Sequence, residues 1–156
     1  MILLSFFLDS IITNYYPYTI NNLSWFRPCF YILTLVTVLF YNKKEKYIFE
    51  KKLILTIIGS LIFNVNLLAR TIIYLLIFLS VKYIIKEYHK SIITYLITIL
   101  ISLFIYYYFS YFIFIFFKET TITITSTTLV FIHSILINCI VGIIIYYLFD
   151  IKYKKK

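Results

Sequence analysis

Oily runs and polar breaks alternate along the whole chain. Ile2–Tyr15 is apolar and is followed by the break "NYYPYTINN" (Asn14–Asn22). Phe26–Tyr41 is apolar again, up to "NKKEKYIFEKK" (Asn42–Lys52). After "KEYHKS" (Lys86–Ser91) come the run Ile92–Phe117, the polar connection "KETTITITSTT" (Lys118–Thr128), the run Leu129–Phe149 and the basic end "KYKKK". Apolar runs near the ~20 residues that cross a bilayer as a helix recur too often for a water-soluble core.

One stretch decides the topology. "LILTIIGSLIFNVNLLARTIIYLLIFLSVKYIIK", Leu53–Lys86, has Asn64, Asn66 and Arg70 in its middle. As one helix its 34 residues would be roughly 51 Å long at ~1.5 Å per residue, against a hydrocarbon core of ~30 Å. It would also leave Arg70 near the bilayer centre, at a cost of several kcal/mol. Two spans joined by a turn at "NVNLLAR" put the asparagines and Arg70 at one membrane face, where Asn suits a turn or a helix end. The pattern therefore predicts a single transmembrane domain, an all-α polytopic bundle of about six helices at 2–15, 26–41, 53–65, 70–86, 92–117 and 129–149. "TITITST" alternates like a strand, but a lone strand has nothing to pair with, so we read it as an ordered outer loop or a helix lead-in.

Charge gives the same topology. With the N-terminus in the cytoplasm, the cytoplasmic loops and tail hold Lys43, Lys44, Lys46, Lys51, Lys52, Lys82, Lys86, Lys90, Lys152, Lys154, Lys155 and Lys156, which is 12 of the 15 basic residues. The outer side holds only Arg27, Arg70 and Lys118. That is the positive-inside asymmetry, and it is lost if Leu53–Lys86 crosses once. The expectation is a multi-pass protein of a bacterial cell membrane with both termini cytoplasmic. The first run has no basic leader and no small-residue cleavage site, as expected of a retained span.

Composition sharpens this picture. Of the 156 residues 63% are hydrophobic and the mean hydropathy is +0.97, well above the ~45–50% apolar share of a soluble domain. Ile, Phe, Tyr, Lys and Asn are abundant while Gly and Pro number two each, a bias that AT-rich codons produce, so each Tyr is not evidence of binding. The net charge of +9 gathers between apolar runs, which points to topology and to anionic lipid at the cytoplasmic face rather than to nucleic acid. Cys29 and Cys139 are expected as buried free thiols.

Few residues carry chemistry. Asp9, Arg27, Asn64, Asn66, Arg70 and His133 share one depth on the outer side, and Asp9 should face the bundle and meet Arg70 or Arg27. The cluster reads either as a site for a ligand or partner, or as a salt bridge with hydrogen-bonding asparagines that fixes packing. Ser60, Gly59, Ser134 and Asn138 read as close-packing or interhelical hydrogen-bond positions. There is no His-Glu-x-x-His, no pair of intramembrane aspartates and no Gly-x-Ser-x-Gly, so the expectation is a protein that is not an enzyme and has no metal or cofactor site.

Two blocks resemble a known family. "FRPCFYILTLVTVLF" (Phe26–Phe40) resembles the opening of the second span in the MreD rod shape-determining proteins. "SLIFNVN" (Ser60–Asn66) falls where that family often has Gly-x-x-x-Asp, with Ser60 in place of the glycine and Asn64 in place of the aspartate. The resemblance implies a divergent member: a non-catalytic scaffold of the cell-elongation machinery. It would pair with an MreC-like membrane protein and, indirectly, with MreB filaments and peptidoglycan synthases. It also implies a fold similar to the six-helix substrate-binding component of energy-coupling-factor transporters. A vitamin-binding subunit of such a transporter is the alternative. It fits less well, because two glycines and one alanine leave little for close helix contact.

Overall fold

The computed structural model describes residues 29–41, 67–116 and 123–154 together with Ser5, Leu8, Asp9, Glu50 and Ile54; side chains are described for all of these except 67–70, 114 and 151–154. The described residues are helical, joined by short non-helical links, with no strand among them. In chain order they form α1 (Phe30–Tyr41), α2 (Leu67–Glu87), α3 (Ile92–Phe104), a π-helical turn (Ile105–Phe109), α4 (Ser110–Phe116) and α5 (Ile124–Lys154).

α1 is the core. Its sequence FYILTLVTVLFY is apolar all round apart from two threonines, and a helix without a polar face must be covered on every side. Nine of its twelve residues are buried, and α2, α3 and α5 pack around it. Both threonines are satisfied locally: Thr34 Oγ1 donates to Tyr31 O at 3.0 Å and Thr37 Oγ1 to Leu33 O at 2.6 Å.

Helix directions follow from the contacts. Tyr31 near the start of α1 stacks edge-on against Tyr74 of α2, with centroids 4.7 Å apart, while Phe40 near its end meets Tyr95 of α3 at 5.3 Å. Tyr41 packs on Tyr146 and Phe149 of α5 at 5.8 and 5.7 Å. α1, α2 and α5 therefore start at one end of the bundle and finish at the other, and α3 runs back between them. The ends bearing Lys82, Lys86, Lys90 and the basic tail lie together. A short link turns α2 into α3, where the Ser91 hydroxyl accepts from the Thr94 amide at 3.1 Å as an N-cap,.

Among the described residues two helices are long and apolar enough to cross a bilayer, Ile92–Ile113 with 22 residues and Ile124–Asp150 with 27. α5 leaves Leu129, Ile132, Leu136, Ile140, Ile144 and Leu148 exposed at three- and four-residue spacing. This unbroken apolar stripe runs the length of the helix, and soluble monomers rarely carry one so long. Serine and threonine within the helices bond back to their own carbonyls: Thr98 to Thr94 O at 2.6 Å, Ser102 to Thr98 O at 2.7 Å, and Ser110 to Tyr106 O,.

The helix bounds differ from the sequence reading in three places. α5 starts at Ile124, five residues before 129, because the Thr123 hydroxyl caps the Ser126 amide at 3.3 Å and Thr127 and Thr128 bond back to Thr123 O and Ile124 O. From Thr123 on, the stretch that alternates like a strand is thus the cap and first turn of a helix. Leu67–Arg70, placed in the hairpin turn by the sequence reading, are helical and open α2. The run from 92 is not one regular helix. The π-helical turn inserts an extra residue, and Leu103, Ile105 and Tyr107 are all buried at two-residue spacing, which one face of an α-helix does not allow. The expected spans 2–15 and 53–65 lie largely outside the described residues.

Candidate functional site

α1 begins without a cap of its own. Arg27, Pro28 and Cys29 precede it, and none is a good N-cap residue. Cys29 occupies the cap position, its carbonyl accepting the first helical bond from the Leu33 amide at 3.0 Å. The first amides of a helix have no intrahelical acceptor, and these are buried in an apolar bundle. Their acceptors come from distant parts of the chain. Asp9 Oδ1 accepts from the Phe30 amide at 2.9 Å and Oδ2 from the Tyr31 amide at 2.7 Å. Asn138 Oδ1, from the middle of α5, accepts from the Cys29 amide at 2.7 Å.

The surroundings lock these groups. Asn138 is fully buried and its Nδ2 donates to Ser134 O, one turn earlier, at 2.8 Å, which fixes the amide orientation and aims Oδ1 at α1. Ser5, one turn before Asp9, meets the Thr34 hydroxyl at 2.9 Å, so this segment is held to α1 at two levels. The Cys29 thiol lies 3.7 Å from the Tyr107 hydroxyl, and the π-helical turn is what aims Tyr107 inward. The carboxylate also sits at the positive end of the α1 dipole, where negative charge is favoured.

The opposite end of α1 has a matching arrangement. Lys90 Nζ donates to the Phe40 carbonyl at 2.6 Å and lies 5.7 Å from the centre of the Phe40 ring. A cation at a helix C-terminus satisfies a terminal carbonyl and complements the dipole. Around it Phe40, Tyr41, Tyr95 and Tyr146 form an aromatic layer, with the Tyr95 hydroxyl tied to Thr37 Oγ1 at 2.7 Å. The core helix is therefore held by an anion at its start and a cation at its end, each supplied by another segment.

Of the residues proposed from sequence, the structure places Asp9 at the head of α1. Arg27, Asn64 and Asn66 lie outside the described residues. Arg70 lies in the first turn of α2, and its side chain is outside the described set, so the expected Asp9–arginine contact is too. His133 is half-buried on α5, beside a hollow bordered by Thr125, Thr128, Leu129 and Ile132. Asn138, read as a close-packing or interhelical hydrogen-bond position, makes such a bond and supplies the third acceptor of the cap. Lys90, read among residues that set topology, also closes a helix. Its only sequence signal is that it sits immediately before the α3 cap, Ser91.

Gly142 is a contact that sequence reasoning passed over. A Cβ built there would come 2.5 Å from Ile99 Cδ1 and 3.7 Å from both Leu33 and Tyr95 side chains. This glycine lets α5 approach α3 and α1 closely. Among the described residues no buried side-chain nitrogen or oxygen lacks a hydrogen-bond partner, and no three His, Cys, Asp or Glu side chains converge as metal ligands would. The arrangement, as far as it is described, uses its polar groups to hold helices. Comparison with family models, with curated proteins and with solved structures finds no match.

Proposed function

We propose that the chain is a multi-pass membrane bundle of six spans that works as a non-catalytic scaffold, in the manner of the MreD proteins, and presents its outer side to a span or segment of an MreC-like partner. The observation that carries this reading is the two-ended fastening of α1: Asp9 and Asn138 at its start, Lys90 at its end. Polar groups committed to backbone amides and carbonyls give a rigid frame rather than a set of reactive groups. Rigidity suits a protein whose task is to hold another in register.

The helix directions support the topology. α1 and α2 both run toward the lysine-bearing end, as the hairpin reading of Leu53–Lys86 requires. Placing the lysine-bearing end in the cytoplasm follows from the positive-inside rule.

The test is purification of the tagged chain from its native membrane with identification of what accompanies it, alongside depletion in the same cells. Recovery of an MreC-like protein, and rod cells rounding on depletion, is the expected result. Unchanged shape with lost uptake of a vitamin would replace this reading with that of an energy-coupling-factor binding subunit.

A further inference from the structure

α2 and α3 leave a groove between them near the lysine-bearing end. It is open, encloses about 600 Å³, and is lined by Leu79, Tyr83, Tyr88, Thr94, Ile97 and Ile101 among others. From Thr94 to Ile101 it follows α3 for roughly 10 Å at ~1.5 Å per residue. Its deeper part is aliphatic, and Leu79, Ile97 and Ile101 are exposed there. Its mouth carries the phenols of Tyr83 and Tyr88, both well exposed.

Charge is concentrated at the same end of α2. Lys86 follows Tyr83 by three residues and Lys82 follows Leu79 by three, so each sits beside a groove residue on the helix surface. Among the described residues of this link, Lys82 and Lys86 are exposed beside one acid, Glu87, while Lys90 is held by the Phe40 carbonyl. The shape is an apolar slot under a cationic rim with aromatic residues at the boundary, the arrangement that suits Tyr at the headgroup level.

We propose that this groove binds one anionic phospholipid: an acyl chain against Leu79, Ile97 and Ile101, and the phosphate at Lys82 and Lys86. The inference rests on the membrane reading above and deepens it, since a general attraction of the basic face to anionic lipid becomes one defined site. The excess of positive charge at the rim selects a lipid with net negative charge over a zwitterionic one with the same chains.

The test uses the full chain in detergent, mixed with phosphatidylglycerol or phosphatidylcholine, with native mass spectrometry counting the retained lipid. Phosphatidylglycerol should be kept in preference. Each lysine removed in a Lys82→Gln/Lys86→Gln variant should weaken retention roughly fivefold, and Ile97→Trp, which fills the slot, should abolish it. The first variant alters only exposed side chains, and circular dichroism verifies that both remain helical. A Lys152→Gln/Lys154→Gln variant should keep the lipid. Equal losses from the tail pair and the groove pair, or no preference for phosphatidylglycerol, would overturn the site. Alkaline carbonate extraction separates the two layers: release of the chain from membranes defeats the membrane reading, whereas a chain that stays in the pellet with retention unchanged in the groove variants defeats the groove alone.

Discussion

Asp9 Oδ2 lies 2.7 Å from the amide nitrogen of Tyr31, a residue 22 positions later in the chain. The carboxylate of one segment thus serves as the N-terminal cap of another helix, and its second oxygen takes the amide before it, that of Phe30. A hydrogen bond to a charged acceptor contributes about 1.5–3 kcal/mol, more than an ordinary cap. Asp9→Ala should therefore cost about 2 kcal/mol of stability. Asp9→Asn, which keeps one acceptor oxygen, should cost about half as much. Thermal unfolding of the purified protein in detergent, followed by circular dichroism, ranks the three. Equal midpoints for Ala and wild type would show that the cap contributes nothing.

Asn138 gives a second prediction of the same kind. Asn138→Leu keeps the volume but strands the Cys29 amide in an apolar interior, and a buried donor left without a partner costs about 1–3 kcal/mol. Adding Asp9→Ala should cost less than the sum of the two single effects, because both residues cap the same turn. A double-mutant cycle on thermal stability reads this coupling. Strict additivity would mean that the two caps act independently.

At the far end, Lys90→Met should destabilise by about 1 kcal/mol through loss of the Phe40 carbonyl contact and the dipole term. Lys86→Gln, at an exposed position, should stay within about 0.5 kcal/mol of wild type. Both remove one positive charge from the same face. Stability separates the fastening role of Lys90 from the topological role proposed for both lysines.

Close packing at Gly142 is testable in a graded series. Gly142→Ala places a methyl against the tip of Ile99, which can rotate away, so the effect should be under about 1 kcal/mol. Gly142→Leu has nowhere to go between α5, α3 and α1 and should cost about 3 kcal/mol or prevent assembly. Ile99→Ala should recover part of the loss from Gly142→Leu. Rescue read by expression level and thermal midpoint identifies the contact, and failure of rescue would place the strain elsewhere.

Topology is tested by labelling. With Cys29 and Cys139 replaced by Ser, Leu67→Cys should react with an impermeant maleimide on intact cells, whereas Lys155→Cys should react only after the membrane is opened. The opposite pattern would invert the bundle, and reaction of both from outside would break the positive-inside reading.

Much of the helical content was legible because periodicity and polar breaks are local properties. The runs 26–41, 70–86 and 92–117 announce helices near Phe30–Tyr41, Leu67–Glu87 and Ile92–Phe116, since residues that cannot face water still need their backbone groups paired. The stretch that alternates like a strand left two readings open, an outer loop or a helix lead-in, and from Thr123 on its side chains bond back to the backbone and start a helix.

That Asp9 needs a partner can be read from the chain alone, because a carboxylate in an oily segment is poorly solvated. Packing settles which groups meet: backbone amides at the head of α1 are among the partners of Asp9, Asn138 takes the Cys29 amide before them, and Lys90 closes the other end. Those pairings join residues 21 to 109 positions apart. They depend on which helices lie side by side, and that is fixed by shape, by a glycine that admits Ile99 and by a π-helical turn that aims Tyr107. No window of neighbouring residues carries that information.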